Sequence, residues 1–525
     1  MRLRGILGFG IVTPVFGVLL TLLPRGAAAS ILNVGPGQTY ATPCAAIAAA
    51  SPGDTVLVSP APTSYTDSCE ISVAGLTLKG VNGQPTIDLS GTQDPANDKG
   101  IYDVTADDVT IDNLELTGAN VDLNNGLNGA GIRDEASGLV VLNCYIHDNQ
   151  DGILATASTA GSSLTVEYTQ FNHNGLGAGC DNGGCTHNIY VGTGAGGDYE
   201  TFVFAFNWSH DIADDTPDKG HLVKTRAQNN YILYNALLGE TGHDSIELDI
   251  PNGGFSVVVG NIIEKGPSCD DNANLLSYGE EGLSNPSTSL YVASNTFVND
   301  YASSATFINV ASGGTLTAHN NLFHGMGTLA STGSLSADNL APASPMFVGP
   351  STYDYHLMAG SPAIGQGVAP GLANGFSLTP TFEYVQPIES VARLVGAKLD
   401  VGAFQFGTVV TGAGQTSTLA VNDAGTPTLS DAGSSPPSDA SGDGGTTKLP
   451  GSDGGSGHPT DSGTTAKDAG TVRDASTARD ASESSSGSSG GCSCHVGDRR
   501  EGTSDVWVAL GVAGLVVAGR RRRGR

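Results

Sequence analysis

The segment VTIDNLEL, Val109–Leu116, decides the fold: a short alternating strand, an asparagine, then a second short strand. The phrase returns as VVLNCYI (Val140–Ile146), FAFNWSH (Phe204–His210), ILYNALL (Ile232–Leu238), VVGNIIE (Val258–Glu264), VASNTFV (Val292–Val298) and AHNNLFH (Ala318–His324). Aligned on Asn113, Asn143, Asn207, Asn235, Asn261, Asn295 and Asn321, successive copies lie 30, 64, 28, 26, 34 and 26 residues apart. The gap of 64 holds one further copy, LTVEYTQF, with Tyr168 in the asparagine's place. Alternation of period two excludes a helical solenoid, and the units are too short for propeller blades of four strands. The pattern predicts an all-β chain forming a single right-handed parallel β-helix. Each coil sends alternate side chains inward, and coils stack at about 4.8 Å. An asparagine repeated at one bend can relay hydrogen bonds from coil to coil, satisfying backbone groups that the turn leaves open.

Composition agrees with this reading. The 525 residues include 74 glycines, and only 14% are charged, which suits many short strands joined by turns. A formal net charge of −29 argues against nucleic acid and against docking on anionic lipid, and it permits bound cations such as Ca²⁺. A monomer is the expected state.

The ends carry addresses. Arg2 and Arg4, the apolar run Gly5–Leu23 and Ala27-Ala28-Ala29 read as a signal peptide over 1–29, so export is expected. Cys44 with Cys69, and Cys180 with Cys185, are candidate disulfides in an oxidising compartment; the sequence does not fix the pairing. The β-helix is assigned to 30–407. Residues 408–491 are rich in Ser, Gly, Asp and Thr and read as a disordered spacer. The tail, 492–525, joins Cys492 and Cys494 to a short apolar stretch, Val506–Gly519, and the cluster Arg520–Arg523. The stretch is short for a membrane span of about 20 residues, yet the arginines have the cytoplasmic sign. The tail resembles the C-terminal sorting tails of myxobacterial surface proteins, which implies cleavage or lipid attachment near the cysteines. The protein is expected to be secreted and held at the cell surface or outer membrane, touching membrane through this tail only.

The body resembles the pectate-lyase-like superfamily of right-handed β-helices. The resemblance rests on SPGDTVLV (Ser51–Val58), GLTLKG (Gly75–Gly80) and TIDLSG (Thr86–Gly91) at the start, and on DYHLMAGSPAIGQG (Asp354–Gly367) and LDVGAFQFG (Leu399–Gly407) at the end. It implies a fold rather than a reaction, because the superfamily holds lyases, hydrolases, epimerases and non-catalytic surface proteins.

Such a solenoid would bind sugar along an outward face of one sheet. Aligning GIRDE (Gly131–Glu135), GILAT (Gly152–Thr156), HNIYVG (His187–Gly192), HLVKTR (His221–Arg226), SIELD (Ser245–Asp249) and LLSYG (Leu275–Gly279) puts Ile132, Ile153, Ile189, Val223 and Ile246 inward. The outward columns then read Arg133, Leu154, Tyr190, Lys224, Glu247 and Glu135, Thr156, Gly192, Arg226, Asp249. His187 and His221 fall at the edge of the strip, with His243 close by.

Breaking a uronate chain by β-elimination needs a group that neutralises the sugar carboxylate, a base for the C5 proton and an acid for the leaving oxygen. The candidate catalytic set is Lys224, Arg226, His221, His187 and Tyr190, with Lys224 as base if Arg226 depresses its pKa. Arg133, Glu247, Asp249, His243 and Tyr278 are candidate substrate contacts, and Glu247 with Asp249 are candidate Ca²⁺ ligands. The alternatives stay open. Lys224 over Glu247 and Arg226 over Asp249 would also make plain ion-pair ladders. Glu247 with Asp249 would equally serve a glycoside hydrolase, and the spacer and anchor also suit a non-catalytic adhesin. The loops Gly177–Asn188 and Ile212–Gly220 read as groove walls. In the second of these, Asp214, Asp215 and Asp218 lack a Ca²⁺-loop spacing and read as a solvated turn.

Overall fold

A computed structural model describes residues 29–431, apart from 92–94, 123–124, 176–186, 193–197, 214–219, 270–271, 395, 397, 412, 416 and 422–426. Three parallel sheets run the length of a β-helix. The first has eleven strands, from Ile31–Val34 to Thr315–His319. The second has nine, from Thr86–Asp88 to Leu322–Gly325, and the third has ten, from Cys69–Ile71 to Gly327–Ala330.

Alternation builds the core. In the first sheet the inward column is Val56, Leu78, Ile111, Val141, Val166, Phe204, Ile232, Val258 and Val292, all fully buried and in register. Each such side chain removed from water contributes about 1.5–3 kcal/mol. Ile87, Leu116, Ile146, Phe171, Leu237, Ile263, Phe297 and Phe323 do the same from the second sheet.

The asparagine ladder forms, with its membership corrected. Nδ2 of Asn207, Asn235, Asn261, Asn295 and Asn321 donates to Oδ1 of the next member at 3.1, 2.9, 2.9, 3.0 and 2.8 Å, ending on Asn339. Each backbone N–H donates to the same oxygen. Thr169 and Cys144 hold the equivalent place in the two preceding coils, since Gln170 pairs with Trp208 and Tyr145 with Gln170. Asn113 and Asn143 stand one residue earlier, in a column of left-handed backbone. With Tyr168, Phe206, Tyr234, Ser294 and Asn320 they have φ between 49° and 59°.

That conformation is unfavourable for aromatic residues, and packing holds them in it. Tyr168 stacks on Phe206 and Phe206 on Tyr234, with ring centroids 4.9 and 5.3 Å apart. Phe382 from the C-terminal segment closes on the last two. This segment also covers the outer face of the second sheet, burying Phe347, Tyr355 and Leu357 against Ala236, Leu238, Ile262 and Val298.

At the other end the short helix Pro43–Ile47 is capped by Thr42, whose hydroxyl accepts the N–H of Ala45, and it buries Ala46 and Ile47 in the core. Cys44 and Cys69 form a disulfide 25 residues apart in sequence, tying this cap to the third sheet. Closing a loop of that length stabilises by about 3 kcal/mol. Cys44→Ser is therefore expected to lower stability by roughly 2–4 kcal/mol, read from urea unfolding; an unchanged midpoint would remove the staple from the account. The second candidate pair, Cys180 and Cys185, lies outside the described residues, as do Asp214, Asp215 and Asp218, the signal segment and the 492–525 tail. No helix among the described residues is long and apolar enough to cross a membrane.

Candidate functional site

The third sheet carries the site. Its outward column runs Asp103, Arg133, Leu154, Tyr190, Lys224, Asp249, Ser277, Asn309. The expected partner of Lys224 was Glu247; in the structure it is Asp249, and Leu248 takes the inward place assigned to Ile246. The coil is two residues longer than the alignment assumed. The expected Lys224–Glu247 and Arg226–Asp249 ladders are replaced by a denser network.

Lys224 Nζ lies 3.2 Å from Asp249 Oδ2 and donates to Glu281 Oε1 at 3.1 Å. Arg226 Nη1 meets Glu281 Oε2 at 2.8 Å and donates to Asn252 Oδ1 at 2.6 Å. Its Nε donates to the Tyr190 hydroxyl at 2.8 Å, and both cations lie within 6 Å of the Tyr190 ring centroid, at 5.9 and 5.6 Å. One carboxylate, Glu281, thus spans both cations. It comes from the turn after strand Asn274–Tyr278, which is pinned over Arg226 by Glu281 N–H on the Pro251 carbonyl and by Asn252 Nδ2 on Ser284 Oγ. Asn285 Nδ2 donates to the carbonyls of Arg226, Ala227 and Gly253 and completes the clamp.

His187 and His221 are brought together, stacked with centroids 5.0 Å apart, and the N–H of His221 donates to His187 Nδ1 at 3.0 Å. His187 also packs against Tyr190 at 5.2 Å. His221 Nε2 is 3.6 Å from Asp249. Burial, then Lys224 and His187, hold His221 well below the usual imidazole range, so it is neutral at pH 7. Lys224 behaves opposite to expectation. Burial and Arg226 act to lower its pKa, but Asp249 and Glu281 outweigh them and hold it above the usual lysine range. A permanently charged lysine neutralises a carboxylate; it does not abstract a proton.

Among the described residues, two polar atoms of this network are buried without a hydrogen-bond partner: His221 Nδ1 and Arg226 Nη2. Such atoms cost about 1–3 kcal/mol each; the Lys265 cluster and the Arg393–Glu383 pair carry them as well, so they do not by themselves mark a site.

The remaining expected residues separate. Glu247 turns to Lys265, whose Nζ lies 2.8 Å from Glu247 Oε1, 3.9 Å from Asp244 Oδ2 and 2.9 Å from the Ser245 carbonyl. Glu247 and Asp249 therefore face different ammonium groups, and they do not combine as a Ca²⁺ pair or as a hydrolase's acid and base. Tyr278 points inward: its neighbour Ser277 is the outward residue, and its hydroxyl donates to the Gly254 carbonyl at 2.6 Å. His243 sits half-buried on the turn before the strand, its N–H on the Ile212 carbonyl. Arg133 is on the column but three rungs from Lys224, about 14 Å at the strand spacing, and is held near Glu135 at 3.4 Å.

Comparison with known proteins adds little at this level. No family model matches the chain, and no curated protein matches it. Among solved structures it is similar to pectate lyase Pel9A, with 15% identity and a TM-score of 0.45, covering 72% of this chain and 97% of that one. It is also similar to a pectin methylesterase from Aspergillus niger, with 16% identity and a TM-score of 0.30, covering 61% and 93%. A Dettilon tailspike protein shows 14% identity and a TM-score of 0.27, covering 57% and 58%. Likenesses this distant carry no reaction over to this chain.

Glu281, Asn252, Lys265 and Asp244 were missed by the sequence reading. Glu281 follows LLSYG within the stretch Gly279-Glu280-Glu281-Gly282, and an acidic pair between two glycines beside an aligned strand was the available signal.

Proposed function

We propose that this chain is a secreted, surface-retained protein that cleaves an acidic, uronate-containing polysaccharide by β-elimination. The observation that carries the reading is the carboxylate of Glu281 spread across Lys224 and Arg226, beside a neutral histidine with a free ring nitrogen. A site that already holds one carboxylate bidentately is shaped to hold another.

In this reading the sugar carboxylate takes the place of Glu281, and Lys224 and Arg226 absorb the charge that develops on it as the C5 proton leaves. His221 Nδ1 takes that proton. The C4–O4 bond breaks, C4 and C5 become doubly bonded, and the Tyr190 hydroxyl delivers a proton to O4. Solvent then returns a proton to Tyr190 and removes one from His221. His187 positions the His221 ring, and Arg133 would meet a sugar farther along the chain. Export by the 1–29 segment and retention by the 492–525 tail belong to the same proposal.

The test uses the purified chain with uronate-containing and neutral polysaccharides, with and without Ca²⁺, following ultraviolet absorbance of an unsaturated uronate alongside reducing ends. Both signals should rise together, on uronate substrates only. Arg226→Ala is expected to lower the rate by about 10²–10³-fold. Because the base is held below the ordinary histidine range, activity should persist as pH falls through 6.5 and decline only in more acidic buffer. Reducing ends without absorbance would mean hydrolysis. A second reading, a glycan-binding surface protein without catalysis, is favoured by one fact: Lys224 is 1% and Arg226 0% exposed, so the cations are already enclosed. Binding with neither signal, across the panel, would establish it.

A further inference from the structure

On the second sheet, away from the site above, His210 Nδ1 lies 3.2 Å from Glu240 Oε2 and 3.6 Å from Asp211 Oδ2, and the three ligand atoms all fall within 4.8 Å of one another. Four other His–Asp pairs are direct contacts, His147 and His173 with Asp148 at 2.6 Å, His319 with Asp338 at 2.8 Å and His356 with Asp354 at 2.7 Å, while His221 and Asp249 stand 3.6 Å apart. At His210 the ring nitrogen stands between two carboxylates and is tight to neither. Ligands about 2.1 Å from a shared divalent ion are themselves about 3.0–3.4 Å apart, which is close to this spacing.

The surroundings point the same way. Glu240 Oε1 is buried without a hydrogen-bond partner among the described residues. Glu264, fully buried, accepts the Glu240 N–H on Oε2 at 3.0 Å and leaves Oε1 without a partner. A second buried carboxyl group is thus set against the backbone of a ligand, with one oxygen unpartnered among the described residues. The other ring nitrogen of His210 is 3.0 Å from Gln170 Nε2. Turned over, that amide would offer its oxygen to an Nε2–H, the outer hydrogen bond that a metal-bound imidazole requires. Trp208 stacks on the ring at 3.8 Å and fixes its plane. The cluster is reachable, with side-chain exposures of 6% for His210, 13% for Glu240 and 21% for Asp211.

We infer that His210, Asp211 and Glu240 form a binding site for a divalent transition-metal ion of the Zn²⁺ class. One imidazole and two carboxylates suit that class better than Ca²⁺, which takes six to eight oxygens. His210 and Asp211 lie on one coil and Glu240 on the next, since His210 pairs with Leu238. The ion clasps two neighbouring coils at the end of the second sheet's strands. It is independent of the proposed reaction.

The experiment uses the whole chain carrying Cys492→Ser and Cys494→Ser, so that tail thiols take no metal. It is stripped with chelator and titrated with Zn²⁺ by calorimetry and with Co²⁺ by visible absorption. One equivalent should bind, with a Co²⁺ spectrum free of thiolate bands, and the thermal midpoint should rise with added Zn²⁺. His210→Ala and Glu240→Gln should each weaken binding at least tenfold. Glu240→Gln keeps the side chain's size, so it carries the test if His210→Ala does not fold. Absence of stoichiometric binding, equal binding by Glu240→Gln, or tighter binding of Ca²⁺ than of Zn²⁺ would each overturn the inference.

Discussion

Asn261→Leu is expected to lower the unfolding free energy by roughly 3–5 kcal/mol, because two buried donors lose their acceptor at once and each orphan costs about 1–3 kcal/mol. Asn261 Oδ1 accepts the backbone N–H of Asn235 at 2.8 Å and its Nδ2 at 2.9 Å. Its own Nδ2 donates to the Ile232 carbonyl and to Asn295, at 2.8 and 2.9 Å. Leucine fills a similar volume and offers none of this, and Asn235 has no water to turn to at 0% exposure. Asn113→Gly is the control: Asn113 stands in the left-handed column, where glycine is at ease, and its amide bonds, to the Gly80 carbonyl half-buried and to the Gly83 carbonyl exposed, can be replaced by water. That variant should stay within about 1 kcal/mol of the parent. Urea unfolding of the two variants checks both. Equal midpoints would mean that the ladder follows the fold without stabilising it.

Lys265→Met should be comparably severe, roughly 3–5 kcal/mol, the usual cost of removing one partner from a buried charge pair. Lys265, Glu247 and Asp244 are all at 0% exposure, and no other cation contacts Glu247 among the described residues. Burial first, opposed by Lys265, already holds the Glu247 carboxyl above its usual range. Removing the ammonium raises it further. A carboxyl with a raised folded-state pKa binds more protons folded than unfolded, so stability falls as pH rises through the window between the two values. The loss in Lys265→Met should accordingly be larger at pH 8 than at pH 5. Lys265→Met with Glu247→Leu should recover much of it. A pH-independent loss would point to packing rather than charge.

These residues also show what the sequence could and could not disclose. The inward columns were legible because the pleat has period two and one face is buried. The same period hides a slip of two residues: Ile246 and Leu248 fit the inward slot equally well, so the alignment put Glu247, not Asp249, over Lys224. A slip of one would have exposed an apolar column and shown itself. At the bend the ambiguity is chemical. Asparagine suits both the ladder position and the left-handed position before it, so Asn113 and Asn143 read like Asn235 while doing a different job. The pKa of Lys224 was misjudged because only Arg226 was near it in sequence. Asp249 and Glu281 arrive from the next coil and from the turn after that, and proximity across coils leaves no mark on a single strand's pattern. His187, His221 and Tyr190 were placed together because they share one strip.

The helix Pro43–Ile47 and its disulfide have a meaning beyond folding energy. A parallel β-helix ends, at each terminus, in strands whose backbone donors and acceptors have no further coil to meet, and an identical molecule offers a matching row. Here the chain from Gly35 returns to lie on Ile31–Val34, with Tyr40 bridged to Val34, and Ala46 and Ile47 close the core behind it. Cys44–Cys69 keeps that plug seated. For molecules at high local concentration, a closed end is what separates individual proteins from a growing fibre.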